Sequence, residues 1–216
     1  MRGALLGFAL IAGCGFRSGE QGFQPQSDAA AGSAQGDAGA FHDGPLDAAF
    51  SVADCPASYT VTIAHSSSRY RLIGTLEVFS DSNDACNADL PGATHLAALD
   101  TVGEEEDLQA LILDSIARYY VGAIQAPGET AFDVGWSLVT GASLPPGLWD
   151  AGEPNDGGLV TTDQGYQQFG ELAPENGTPG LHDDDPDQYD GAICECDGLP
   201  VPSAITSEIA AQIPTN

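Results

Sequence analysis

The sequence predicts an α+β domain, on three observations. Tyr59, Val61 and Ile63 alternate with Thr60 and Thr62, the period-two pattern of a half-buried strand, and Tyr70 and Leu72 follow as its hairpin partner after the polar run Ser66 to Ser68. Thr101-Val102-Gly103-Glu104 has capping-box spacing before an acidic first turn; Leu108, Leu111, Ile112, Ser115 and Tyr119 then follow one helix face, and Arg118 closes the helix favourably. Beyond Val121 the chain is Gly-, Pro- and Asp-rich with short strands, ending in Ala192-Ile193-Cys194-Glu195-Cys196. So little regular pattern over so long a stretch points to a functional loop region.

Composition limits what such a domain can do. The 216 residues, 42% of them hydrophobic, suit one domain with unstructured flanks better than two domains. Acidic residues number 32 against five Arg and no Lys, a formal net charge of -27. A surface of that sign repels nucleic-acid phosphates and anionic headgroups, so a nucleic-acid partner is excluded. Dense carboxylates favour divalent cations, Ca²⁺ above all, because hard oxygen ligands suit a hard ion; simple solubilisation is the plainer role for most of them.

The five cysteines are Cys14, Cys55, Cys86, Cys194 and Cys196, an odd number from which Cys14 is set apart. Residues 1–13 carry one basic residue, Arg2, and an apolar run too short to span a bilayer, which reads as a signal peptide. Leu10-Ile11-Ala12-Gly13-Cys14 resembles the lipobox of bacterial lipoproteins, in which the cysteine thiol takes diacylglycerol; Gly15 after it resembles the class sent to the outer membrane. The expectation is a palmitate-bearing, lipid-anchored chain at the outer membrane or cell surface, on its periplasmic or extracellular side. Four cysteines then remain for an oxidising compartment. Residues 14–51 are rich in Ala, Gly, Asp, Gln, Ser and Pro and read as a disordered tether. The domain is expected over 52–203, and 204–216 reads as a loose tail.

Along that domain, Cys86, Ala93-Thr94-His95-Leu96-Ala97 and Glu104-Glu105 stand in the order of a helix cysteine, a His-Leu-Ala strand and an acidic-start second helix. Tyr120-Val121-Gly122-Ala123, Gly135-Trp136-Ser137, Trp149, Gly152-Glu153-Pro154-Asn155-Asp156, Leu181-His182-Asp183-Asp184 and Ile193-Cys194-Glu195 follow in turn. In this order and spacing, over about residues 55 to 198, the chain resembles C-type lectin-like domains. The resemblance implies two helices flanking small antiparallel sheets with a long irregular loop region, and a binding module rather than an enzyme. It implies a Cys86–Cys194 disulfide between first helix and last strand; Cys55 and Cys196 are then paired with each other. The family's second standard bridge has Phe169 and Asp187 at its two positions, so both partners are lost together.

The resemblance also implies calcium-dependent carbohydrate recognition. Glu153 and Asn155 flank Pro154, and a cis peptide there lets both side chains turn to one side; Asp183 and Asp184 would add oxygens from a neighbouring strand. Sugar hydroxyls would complete the Ca²⁺ shell while Glu153, Asn155 and Asp183 exchange hydrogen bonds with them. The Glu-Pro-Asn order resembles mannose/glucose-type binders. Trp149 or Trp136 would supply an apolar wall, against the plainer role of core residues. Glu129 and Asp156 offer oxygens to a second Ca²⁺. The sequence departs from the family at three places. Asp183 replaces an Asn, Gln167 replaces a Glu for which Asp163 or Glu171 offers a substitute, and His182 replaces a Trp as a packing residue. The alternative is a lectin-like structural or protein-binding adhesion module without sugar. His42, His65, His95 and His182 lack metal-type spacing, and no nucleophile elbow or phosphate loop appears, so nothing argues for catalysis.

Overall fold

In the computed structural model, which describes residues 50–113, 118–129, 131–155, 167–173 and 180–213, the two ends of the domain meet. Strand β1 (Arg69–Glu77) leads into helix α1 (Phe79–Asp89), strand β2 (Thr94–Leu96), helix α2 (Val102–Ile112) and strand β3 (Tyr119–Gln125). Strands β4 (Trp136–Leu138), β5 (Phe169–Leu172), β6 (Leu181–Asp184) and β7 (Asp190–Cys196) follow, then helix α3 (Ser203–Gln212). β7 pairs antiparallel with β1, from Arg69 opposite Cys196 to Ile73 opposite Ala192, so the first and last strands lie side by side.

The described strands form one sheet in the order β1-β7-β3-β5-β6, with β2 on β7 and β4 on β3. The expectation of small antiparallel sheets is corrected at its centre, where β3 runs parallel to β7, Tyr119 opposite Gly191 and Tyr120 opposite Ala192. Every residue of β3 and β7 is buried, as strands covered on both faces must be. Gly122 is required where β3 crosses the segment after β2. A Cβ there would lie 2.5 Å from Val139 Cγ2 and 2.7 Å from the Leu96 carbonyl oxygen.

Phe79 of α1 stacks on Phe169 of β5 with ring centroids 3.8 Å apart, and Tyr120 of β3 meets the Phe79 ring edge-on at 5.3 Å. All three are fully buried, each contributing about 1.5–3 kcal/mol by area removed from water. Phe169, expected at a lost disulfide position, is thus a packing residue. The bridges expected of the other cysteines are present, Cys86–Cys194 and Cys55–Cys196.

Three local expectations change. Tyr59 to Ile63 form no strand, only a single bridge from Val61 to Tyr70. The Asp107 carboxylate takes the next amides, Ala64 N–H at 2.8 Å and His65 N–H at 2.9 Å, and β1 gives its ladder to β7 instead. Helix α2 stops at Ile112; Tyr119, expected on its face, belongs to β3, Leu111 is exposed, and Arg118 pairs with Glu171 at 2.7 Å rather than with the helix end. Residues 204–212 are no loose tail, because Ile205 and Ile209, one helical turn apart, are buried against the core. Phe50, expected in the tether, also packs there. Cys14, the expected signal peptide and the tether up to residue 49 lie outside the described residues, as do Ser115, Asp156 and Asp163.

Candidate functional site

The site is built where the turn 150–155 meets the edge strand β6. Leu181 N–H donates to the Leu148 carbonyl at 2.8 Å and Asp150 N–H to the Leu181 carbonyl at 3.1 Å, which lays the turn along the strand. Gly180 permits this approach, since a Cβ on it would lie 2.6 Å from Asp150 Cα and 2.8 Å from its backbone nitrogen. Glu153 N–H closes the turn on the Asp150 carbonyl at 3.0 Å, and the Glu153–Pro154 peptide is cis, as expected.

The turn brings Glu153 and Asn155 to Asp183. Asn155 N–H donates to Asp183 Oδ1 at 2.9 Å, and the Glu153 carboxyl lies against that of Asp183. Burial first, and then the neighbouring Asp183 and Asp150 charges, push the Glu153 carboxyl up to about 8. Its Oε2 is buried with no hydrogen-bond partner. A carboxylate pair with an orphaned oxygen suits a hard cation, so the residues present fit Ca²⁺.

Asp184 does not join this group. Successive residues of a strand leave on opposite faces, and its carboxyl lies instead with those of Glu171 and Asp190. Glu171, weighed above as a substitute for Gln167, therefore serves that second cluster and pairs with Arg118. Glu129 sits in the turn after β3, accepting from Ala131 N–H at 3.4 Å; its expected partner Asp156 lies outside the described residues.

Asp150 carries no signal in sequence, and His182 reads there only as a packing residue. His182 Nδ1 lies 3.5 Å from Glu153 Oε1 and its Nε2 3.4 Å from Asp150 Oδ2, so the imidazole sits between two carboxyls while Nε2 makes no hydrogen bond. It is more than the packing residue expected. Beside the site Trp136 and Trp149 meet edge-on at 4.7 Å, both partly buried against the core, the plainer of the two roles weighed for them.

A third polar cluster ties α2 to the sheet. Tyr70 O–H donates to Glu104 Oε1, Glu195 Oε2 accepts Ala98 N–H at 2.8 Å, and His95 Nε2 lies 3.1 Å from Asp197 Oδ1. The capping box is half made: Thr101 Oγ1 accepts Glu104 N–H at 3.1 Å, while Glu104 Oε2 accepts from Asp100 N–H rather than from the N-cap.

No protein-family model and no curated protein matches the sequence. Solved structures do. The human scavenger receptor C-type lectin carbohydrate-recognition domain superposes with a TM-score of 0.54 at 20% identity, covering 66% of this chain and 98% of its own. SPL-1, solved as a GlcNAc complex, gives 0.53 at 15% identity over 68% of this chain and 97% of its own. Human lithostathine gives 0.51 at 17% identity over 72% and 99%. With β1 and β7 closing its ends, Cys86 bridged to Cys194, and a loop site set on β6, the chain has the C-type lectin-like fold.

Proposed function

We propose that the domain is a surface-anchored binding module that recognises carbohydrate through Ca²⁺. The observation that carries this reading is the convergence of Glu153, Asn155 and Asp183 from two separate stretches of chain, with Glu153 Oε2 left without a partner. Glu153 and Asp183 would hold the ion with the Asn155 amide oxygen, and the same groups would exchange hydrogen bonds with vicinal sugar hydroxyls of mannose/glucose type. The likeness to a carbohydrate-recognition domain and to SPL-1 in its GlcNAc complex supports a glycan partner. Asp184, expected in the same set, would contribute at most from its backbone, since its carboxyl is engaged elsewhere. Cys14 would take the lipid anchor and hold the domain at the outer membrane.

One observation favours a second reading, a lectin-like module that binds protein without sugar. His182 Nδ1 lies 3.5 Å from Glu153 Oε1, a contact that engages the loop carboxyl within the protein itself. A glycan array probed with the full mature chain separates the two. Binding to mannose- or glucose-terminated glycans that is lost in EDTA and in Glu153→Ala plus Asn155→Ala supports the first reading. Binding unchanged by chelator rejects it, and partner capture that survives both substitutions supports the second.

A further inference from the structure

Strands β5, β6 and β7 bring three carboxyls together near the start of β3. Glu171 follows from the pairing of Tyr120 with Glu171, Asp184 from the pairing of Phe169 with Asp184, and Asp190 precedes Gly191, which pairs with Tyr119. All three side chains are more than nine-tenths buried, with exposures of 0%, 4% and 8%. One oxygen of each lies within 4.8 Å of those of the others. Oxygens in one calcium shell, each about 2.3–2.6 Å from the ion, are separated by at most about 5.2 Å, so this spacing suits a shared ion.

The hydrogen bonding of the cluster points the same way. Glu171 Oε1 is taken by Arg118 Nη1, and Asp184 Oδ1 accepts Asp185 N–H at 2.9 Å. Glu171 Oε2, Asp184 Oδ2 and Asp190 Oδ2 are buried and receive no donor. A buried acceptor without a donor is destabilising, and a buried uncompensated charge more so. With all three ionised, as ion binding requires, the carboxylates exceed the Arg118 guanidinium by two charges, which one divalent cation supplies.

We infer that Glu171, Asp184 and Asp190 form a buried Ca²⁺ site, separate from the loop group of Glu153, Asn155 and Asp183 and independent of the carbohydrate reading. The donors are all oxygen, which excludes the softer metals that select thiolate or imidazole. Mg²⁺ keeps several of its waters and fits a buried three-carboxylate site less well than Ca²⁺, which accepts irregular oxygen shells. The ion ties the edge strand β6 to β5 and β7, so the site stabilises the platform on which the loop group stands.

Calorimetric titration of the full chain with CaCl₂, after treatment with EDTA and its removal, tests this inference. The loop variant Glu153→Ala plus Asn155→Ala still binds one Ca²⁺, and in that background Glu171→Gln weakens the remaining ion on the order of 10-fold or more, because carboxylate count sets calcium affinity. A loop variant that binds no ion, or Glu171→Gln with unchanged affinity, overturns the site. Asp190→Asn, the least buried of the three, gives a second readout by thermal unfolding. In EDTA it is at least as stable as the parent, and the calcium-induced rise in Tm seen in the loop variant is lost when Asp190→Asn is added. A rise that persists refutes the inference. Equal stabilisation by MgCl₂ rejects the calcium preference.

Discussion

Asp183 and Asp184, successive residues of β6, serve two different clusters. The carboxylate of the first accepts Asn155 N–H at 2.9 Å beside Glu153, while that of the second lies within 4.8 Å of Glu171 and Asp190. The cause is the period-two geometry of a strand, which sends neighbours to opposite faces. One short edge strand therefore sends Asp183 to the loop group and Asp184 to a buried acidic cluster.

Asp183→Asn and Asp183→Ala should differ sharply. An amide oxygen can still accept the Asn155 N–H, whereas Ala leaves that donor without its partner. Asp183→Asn also removes a neighbouring charge that raises Glu153, so the Glu153 carboxyl should titrate closer to its usual range. Carbon-detected NMR titration of the metal-free protein measures the shift, and an unmoved Glu153 would remove Asp183 as a cause. Calcium affinity should fall in the Asn variant, which keeps an oxygen donor but loses a charge, and fall further in the Ala variant, which loses both.

Much of the frame was legible because it is written in residue types that have few other uses. Cysteines at both ends, Thr94-His95-Leu96 and Glu153-Pro154-Asn155 each stand where the fold needs them. The acidic cluster was not legible as such, because Asp190 carries no local signal and Glu171 acquires its partner Arg118 only through β3–β5 pairing. Tyr119 read as helical because β3 is buried on both faces and lacks the alternation that marks a half-buried strand. Helix α3 lacks a side-chain N-cap, its cap position being Pro202, and so its start gave no signal despite the Ile205–Ile209 spacing.

Gly180→Ala should weaken calcium binding at the loop without changing any ligand. The added methyl would meet Asp150 backbone atoms, which cannot rotate away as a side chain can, so the turn that carries Glu153 must shift from β6. Calorimetry should show lower calcium affinity in Gly180→Ala than in a control such as Gly74→Ala, on β1 at the opposite edge of the sheet, where an added Cβ meets nothing within 4 Å. Equal affinities would show that the turn does not depend on this approach.

Ile209→Ala should destabilise the domain by about 2–4 kcal/mol, the range for deleting most of a buried aliphatic side chain. Ile209 is 4% exposed and packs in the same cluster as Phe79 and Tyr120. Ala210→Ser on the exposed face of α3 serves as the control. Urea unfolding in saturating CaCl₂ measures both; a change below about 0.5 kcal/mol, the range of ordinary surface substitutions, would mean that the helix contributes little to the fold.

The metal-free protein should lose stability as pH rises. Burial is the first cause raising Glu105 to about 7, Glu153 to about 8 and Glu195 to about 7, from an ordinary value of 4.5. Between the ordinary and the raised values the folded chain keeps protons that the unfolded chain has released, so unfolding becomes more favourable with each step up in pH. The loss should begin near pH 5 and run to about pH 8, and Tm in EDTA should fall over that window. Calcium acts against the trend at its carboxylates, because binding requires their ionised form and releases protons. The rise in Tm on adding CaCl₂ should therefore grow as pH rises, and Glu105→Gln, which removes none of the proposed ligands, should flatten the EDTA profile while keeping a calcium increment. A Tm in EDTA that climbs from about pH 5 to pH 8 would contradict the linkage.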